Sequence, residues 1–130
     1  MARPPEEWTD PRHRFGLAAE ELVALHLQQL GWRVEAHRWK LGRHDLDLVV
    51  RRADLVAFVE VKARRSTACG GGEEAVSRRK RATIERVAWS WILRHGRGGD
   101  RYRFDVVTVQ GDGPGAPIAH LEDAWRPGWR

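Results

Sequence analysis

The sequence predicts an α/β protein: a central mixed β-sheet flanked by helices, in the order α-β-β-β-α-β with a late short strand. Three observations predict it. Helical spacing runs over about 12–30 and again over about 77–94, and period-two apolar runs lie between and after them. The central hairpin is apolar on both faces near its turn, so helices must cover the sheet on both sides. This order describes a sandwich around one sheet and excludes a doubly wound Rossmann chain.

The elements follow in turn. Residues 1–11 are proline-rich and charged and read as a flexible arm, 12–126 as one domain, and 127–130 as a tail. In "RHRFGLAAEELVALHLQQL", Ala18, Leu22 and Leu25 share one helical line and Ala19, Val23 and Leu30 a neighbouring one. Gly31 is a natural stop. "WRVEAHRW" alternates as a first strand, and "HDLDLVVRRADLVAFVEVKARR" follows as a hairpin. "STACGGGEEAV" forms a loop whose three glycines favour mobility. The second helix starts on a Ser77 N-cap and is expected to bury Ile84, Val87, Ala88 and Trp91. "HGRGG" ends it, "DRYRFDVVTV" is a strand, and "IAHLEDAW" opens on a short strand.

Composition narrows the function. A chain of 130 residues with 42% hydrophobic content suits one compact domain. Lys and Arg number 23 against 18 for Asp and Glu, a formal charge of +5, which favours a polyanionic partner such as nucleic acid. The lone Cys69 excludes an internal disulfide and fits a reducing compartment. No apolar run reaches membrane-spanning length and the first residues hold no apolar signal core, so a soluble, cytoplasmic protein is expected.

The hairpin carries the chemistry. With a two-residue turn at Ala53-Asp54, Arg52 pairs with Leu55, Val49 faces Phe58, Asp47 faces Glu60 and Asp45 faces Lys62. Opposed residues share a face, so three acids and a lysine gather at the end away from the turn. The other face, from Leu46, Leu48 and Val50 to Val59 and Val61, reads as uninterrupted core. Enclosed carboxylates at opposed positions repel, and an uncompensated one costs several kcal/mol. A divalent metal resolves this, since Mg²⁺ takes one or two carboxylates and keeps sites for water and phosphate. The hairpin alone also admits a Lys62–Asp45 ion pair at a solvated edge, with Asp47 and Glu60 wet. Glu20, beside Val23 and Leu27 on the helical wheel, leans toward the cluster, whereas Glu21 falls outside. Lys80, one turn before Ile84, aims inward or along the rim.

Asp47, the "EVK" at Glu60-Val61-Lys62 and an upstream helical Glu20 resemble the PD-(D/E)xK nuclease superfamily. More closely, "GLAAEELVALHLQQLGWRV", "HDLDLVV", "LVAFVEVKARR", "SRRKRATIERVAWSWI", "RFDVVTV" and "IAHLEDAW" look like successive blocks of the YraN-like family of uncharacterised bacterial proteins, which are similar to Holliday junction resolvases. The likeness spans about 12–126. It implies a restriction-endonuclease-like fold and a Mg²⁺- or Mn²⁺-dependent endonuclease acting on DNA, branched or junction DNA included, in repair or recombination. Carried over, Asp47 and Glu60 are the metal carboxylates, Glu20 supports the metal or its water, and Lys62 orients the attacking water and steadies the phosphate. Where that family usually reads Gly-Glu-Ile-Asp, this chain reads His44-Asp45-Leu46-Asp47. Asp45 is therefore only a neighbour of the site.

Substrate is expected on Arg64, Arg65, Arg78, Arg79, Lys80 and Arg81, with Arg12, His13 and Arg14 from the arm. Two symmetric cuts would need two sites, hence a homodimer. The rival expectation is a nucleic-acid-binding module of the same fold that does not cut.

Overall fold

The computed structural model describes residues 11–64, 76–111 and 115–129, with side chains from Gly16 onward. Of the expected arm over 1–11, residues 1–10 lie outside the described residues and Pro11 opens a helix; Arg65, most of the glycine-rich loop over 66–76 and the side chains of Arg12, His13 and Arg14 also lie outside them. The elements are α1 (Pro11–Gln29), β1 (Arg33–Leu41), β2 (His44–Arg52), β3 (Leu55–Arg64), α2 (Arg78–His95), β4 (Arg101–Gln110) and β5 (Ile118–Trp125). Among the described residues no helix is long and apolar enough to cross a membrane.

One sheet holds the strands in chain order, β1-β2-β3-β4-β5. Three neighbouring pairs are antiparallel, and only β3 and β4 run parallel. Parallel neighbours need a long crossover, and α2 supplies it. The sheet is mixed and covered on both faces, as the hairpin's apolar composition requires. Against α2 pack Val49, Val56, Phe58 and Phe104 with Ile84, Val87, Ala88 and Trp91. Against α1 pack Leu48, Val50, Ala57, Val59, Val107 and Val109 with Ala19, Val23, Ala24 and Leu27.

The helix ends follow local chemistry. At the end of α1, Gly31 takes φ +93° and the Trp32 N–H reaches back to the Leu27 carbonyl at 3.0 Å, a Schellman closure that a side-chain-bearing residue resists. The Ser77 hydroxyl accepts from the Lys80 N–H and caps α2, whose buried residues are the four expected. Gly96 ends α2 where an added Cβ would meet the Ile92 carbonyl at 2.6 Å and the Tyr102 hydroxyl at 2.7 Å.

Three expectations need correction. In α1 the stripe facing the sheet is Ala19, Val23, Ala24 and Leu27, while Leu25 and Leu30 are 54% and 52% exposed. Small residues at 19 and 24 let the helix lie close to the sheet, which turns the longer leucines outward. In the strands, a bulge between Val34 and Ala36 moves β1 from the α1 face to the α2 face. Strand β5 is also longer than expected, at 8 residues.

Candidate active site

From the turn outward, β2 and β3 pair with the expected register, Arg52↔Leu55 to Leu48↔Val59, and the ladder stops there. Asp47 does not sit opposite Glu60 in that ladder. Its Oδ2 instead accepts the Val61 N–H at 2.8 Å. Across the sheet Arg38 of β1 adopts φ 48°, in the left-handed region, at the point facing Asp47. The bend switches faces: Leu46 packs in the α2 cluster while Leu48 packs in the α1 cluster. The expected continuous face from Leu46 to Val61 is thus broken at Asp47, because period-two parity fails wherever a strand leaves regular φ/ψ.

Where β2 and β3 part, a cavity of about 570 Å³ opens between the start of α2 and the early turns of α1. Glu20, Asp45, Asp47, Glu60, Lys80 and Arg43 are among its lining residues. Three expected acids therefore reach one cavity from α1, β2 and β3. Asp45 is exposed at its rim and pairs in β-register with Lys40.

Each acid is held differently. Glu20 is buried, and both its oxygens are taken by Arg38, at 3.1 Å from Nε and 2.9 Å from the terminal nitrogen. The strained backbone at Arg38 thereby places a guanidinium under a helical carboxylate. Glu60 is 4% exposed; its Oε1 lies 3.5 Å from the Lys80 Nζ, and its Oε2 is buried with no hydrogen-bond partner among the described residues.

Burial lifts the Asp47 carboxyl to about 8, with the Glu60 and Glu20 charges adding to it and the Val61 N–H opposing. Burial also raises Glu60, against the pull of the Lys80 and Lys62 charges. At neutral pH the Asp47–Glu60 pair retains a proton. Two neighbouring carboxylates short of positive charge form a seat for a cation.

Among the described residues no three His, Cys, Asp or Glu side chains converge as a metal-ligating group. The residues present still fit a hard divalent ion held by two carboxylates. Asp47 and Glu60 offer hard oxygens, and the Glu60 Oε2 is left without a described partner.

The expected cations divide. Lys62 is half-buried on β3 and is not among the residues lining the cavity, yet its charge acts on Glu60. Arg64 is half-buried beyond it. Arg78, Arg79 and Lys80 are exposed on the first turn of α2, and Arg79 and Lys80 line the cavity. Arg81 is turned back: its Nε donates to the Val76 carbonyl at 2.8 Å and its guanidinium lies 5.5 Å from the Trp125 ring centroid.

Sequence reasoning gives no role to Arg38 or Arg43. A Gly-Arg turn between two strands is the available signal for Arg43; Arg38 has none, since its use depends on the left-handed φ. A second polar centre also escapes it. Asp105 of "RFDVV" is fully buried on β4 and accepts two hydrogen bonds from Arg103, both at 2.8 Å, and one from the Asp123 N–H at 3.0 Å. Its Oδ2 lies 2.7 Å from the His120 Nε2. Burial alone would raise this carboxyl; His120, Arg103 and the Asp123 N–H outweigh it and hold the pKa below the ordinary 3.8. Both carboxylate oxygens here are satisfied, unlike the Oε2 of Glu60.

The sequence matches the model of an uncharacterised protein family, UPF0102, over residues 19–109. That span takes in Glu20, Arg38, Asp47, Glu60 and Lys80. A UPF0102 protein of Myxococcus xanthus (strain DK1622) is 35% identical over 117 residues, covering 90% of this chain and 93% of the relative. One of Rhodococcus jostii (strain RHA1) is 36% identical over 116 residues, 87% of this chain and 98% of the relative. One of Nocardia farcinica (strain IFM 10152) is 39% identical over 98 residues, covering 75% and 77%.

Proposed function

The chain belongs to the uncharacterised protein family UPF0102, and we propose that its cavity is the active site of a metal-dependent endonuclease that hydrolyses DNA phosphodiester bonds. The observation that carries this reading is the half-buried Asp47 beside the buried Glu60, whose Oε2 has no hydrogen-bond partner among the described residues, next to Lys80. A polyanionic substrate fits the net charge of +5 and the exposed cations on the cavity rim. The sandwich around a mixed sheet, with its acids where two strands part, supports a restriction-endonuclease-like class.

Asp47 and Glu60 would hold Mg²⁺ or Mn²⁺, with Glu20 close by. When bound, such an ion polarises the phosphoryl oxygen and acidifies a water. The chain's own groups do the rest. Arg38 holds Glu20 fixed at the cavity wall through both carboxylate oxygens. Lys80 offsets the Glu60 charge and meets the phosphate. Lys62, two residues after Glu60 on the same strand, would orient the water and steady the phosphate. Arg43 and Arg79 hold the flanking backbone. The Val61 N–H fixes Asp47 with one oxygen turned inward to the protein and the other left for the cavity.

Branched or junction DNA in repair or recombination is the substrate class, and paired cuts across a junction are served by a homodimer. A reducing, cytoplasmic setting suits the lone Cys69.

The test is incubation of wild type, Asp47→Ala and Lys62→Ala with branched, single-stranded and duplex DNA in Mg²⁺ or Mn²⁺. Wild type should cut one or more of these only with metal, and neither variant should. Salt-sensitive binding with no cleavage in any metal would replace the enzyme with a binding module.

A further inference from the structure

Beside the cavity runs a second, apolar groove of about 830 Å³, walled by Trp89 and Arg86 of α2, Leu41 at the end of β1, and Trp129. It shares Arg79 and Thr83 with the cavity, so one surface continues into the other. Trp89 is 45% exposed and Trp129 37%, large values for indoles that touch each other and, for Trp129, Phe104. Their centroids lie 5.2 Å apart at an interplanar angle of 56°, so neither ring is covered face to face by the other.

The charge around these rings selects the occupant. Arg79 and Arg86 are exposed at the groove, and Arg78 and Lys80 stand on the adjoining turn. The acid present, Glu85, has its Oε2 engaged by the Trp125 indole N–H at 3.0 Å. An apolar protein segment would need no such cationic frame. A nucleic-acid strand needs both parts: cations along its backbone and aromatic faces for unstacked bases.

We infer that Trp89 and Trp129 form a stacking platform for unpaired bases adjoining the scissile phosphate, so that this protein selects DNA with a single-stranded arm over continuous duplex. The inference rests on the proposed function in taking the cavity as the backbone's seat. A continuous duplex keeps its bases stacked and offers the indoles nothing. A fork or flap releases bases that could reach Trp89, about one and a half turns of α2 beyond Thr83 at the cavity rim.

The test separates binding from cutting. Fluorescence anisotropy in EDTA compares a labelled forked duplex with a blunt duplex of equal length, for wild type, Trp89→Ala, Trp89→Phe, Trp89→Leu and Trp129→Ala. Wild type should prefer the fork. Trp89→Ala and Trp129→Ala should each weaken fork binding by about 5- to 100-fold while leaving blunt binding within about twofold. Trp89→Phe should keep most of the preference and Trp89→Leu should lose it, because leucine retains apolar area without a π-face. A wild type without preference would overturn the inference. So would alanine variants that bind the fork like wild type, or a Trp89→Leu variant as good as Trp89→Phe, the result for a groove that receives protein. Cleavage is read separately in Mn²⁺: a preserved fork preference without cutting leaves the platform standing and removes the nuclease.

Discussion

Asp47 accepts the Val61 N–H at 2.8 Å at the point where β2 and β3 cease to pair, so a side chain occupies the place of a ladder bond. That substitution opens the sheet without orphaning the Val61 donor, and it holds one carboxylate beside Glu60. The cavity's electrostatics follow from this arrangement.

The first consequence concerns pH. The Asp47 carboxyl has an ordinary value of 3.8 and is lifted to about 8 in the fold. Between these values the folded state holds a proton that the unfolded chain has lost, so stability falls as pH rises across the window. In EDTA, wild type should melt at progressively lower temperature from about pH 4 to pH 8. Asp47→Asn should show a flatter profile and exceed wild type by about 1–3 kcal/mol above pH 8. Adding Mn²⁺ at high pH should restore wild type and leave the variant unchanged. Calorimetric melting across pH checks all three.

A second expectation concerns Glu20 and Arg38. Removing the guanidinium leaves a carboxylate that is 10% exposed without its partner, whereas Arg38 itself is 31% exposed and partly screened. Arg38→Ala should therefore lower stability by about 1–3 kcal/mol, and Glu20→Gln in the same chain should recover part of it. A double-mutant cycle in urea measures the coupling; a coupling of zero would remove Arg38 as the anchor of the site.

Neighbouring cations on α2 should behave in opposite ways. Lys80 faces the cavity and Arg81 faces the protein. Lys80→Ala should weaken DNA binding across sequences and reduce the salt slope by about 1. Arg81→Ala should leave that slope alone and lower stability by about 1 kcal/mol, since the Val76 carbonyl loses its donor. Anisotropy titrations at several salt concentrations, with a parallel melt, read both.

The Asp105 centre should matter for folding, with no direct part in the chemistry. Its carboxylate is fully buried beneath Arg103 and His120. Asp105→Asn should cost about 2–4 kcal/mol, because Arg103 then loses its counter-charge. With the folded pKa below 3.8, its contribution persists above that value and disappears as pH falls below it. The acid limb of the wild-type melting profile should accordingly be shallower in the variant.

Parity along the hairpin is legible in its residues alone. The turn at Ala53-Asp54 fixes the register, and the alternation of Val49 and Phe58 with Leu48 and Val59 requires cover on both faces. In α2, a Ser cap and a 3.6-residue period are enough to select Ile84, Val87, Ala88 and Trp91. Leu46 defeats the same reasoning because its face depends on the bend opposite Arg38, and that bend depends on a contact with Glu20, distant in sequence. The same contact hides Arg38 as a site residue. Leu25 and Leu30 mislead in another way: hydrophobicity marks candidates for burial, but the small residues at 19 and 24 decide which side of α1 approaches the sheet.

The most direct measurement is the single-turnover cleavage rate of a labelled branched DNA in Mn²⁺ by wild type, Asp47→Asn and Glu60→Gln, each shown to be folded. Two carboxylates holding the metal predict cutting by wild type that stops in EDTA, with each variant slower by at least about 10³-fold. Cleavage that continues in EDTA, or runs at the wild-type rate in both variants, would contradict it.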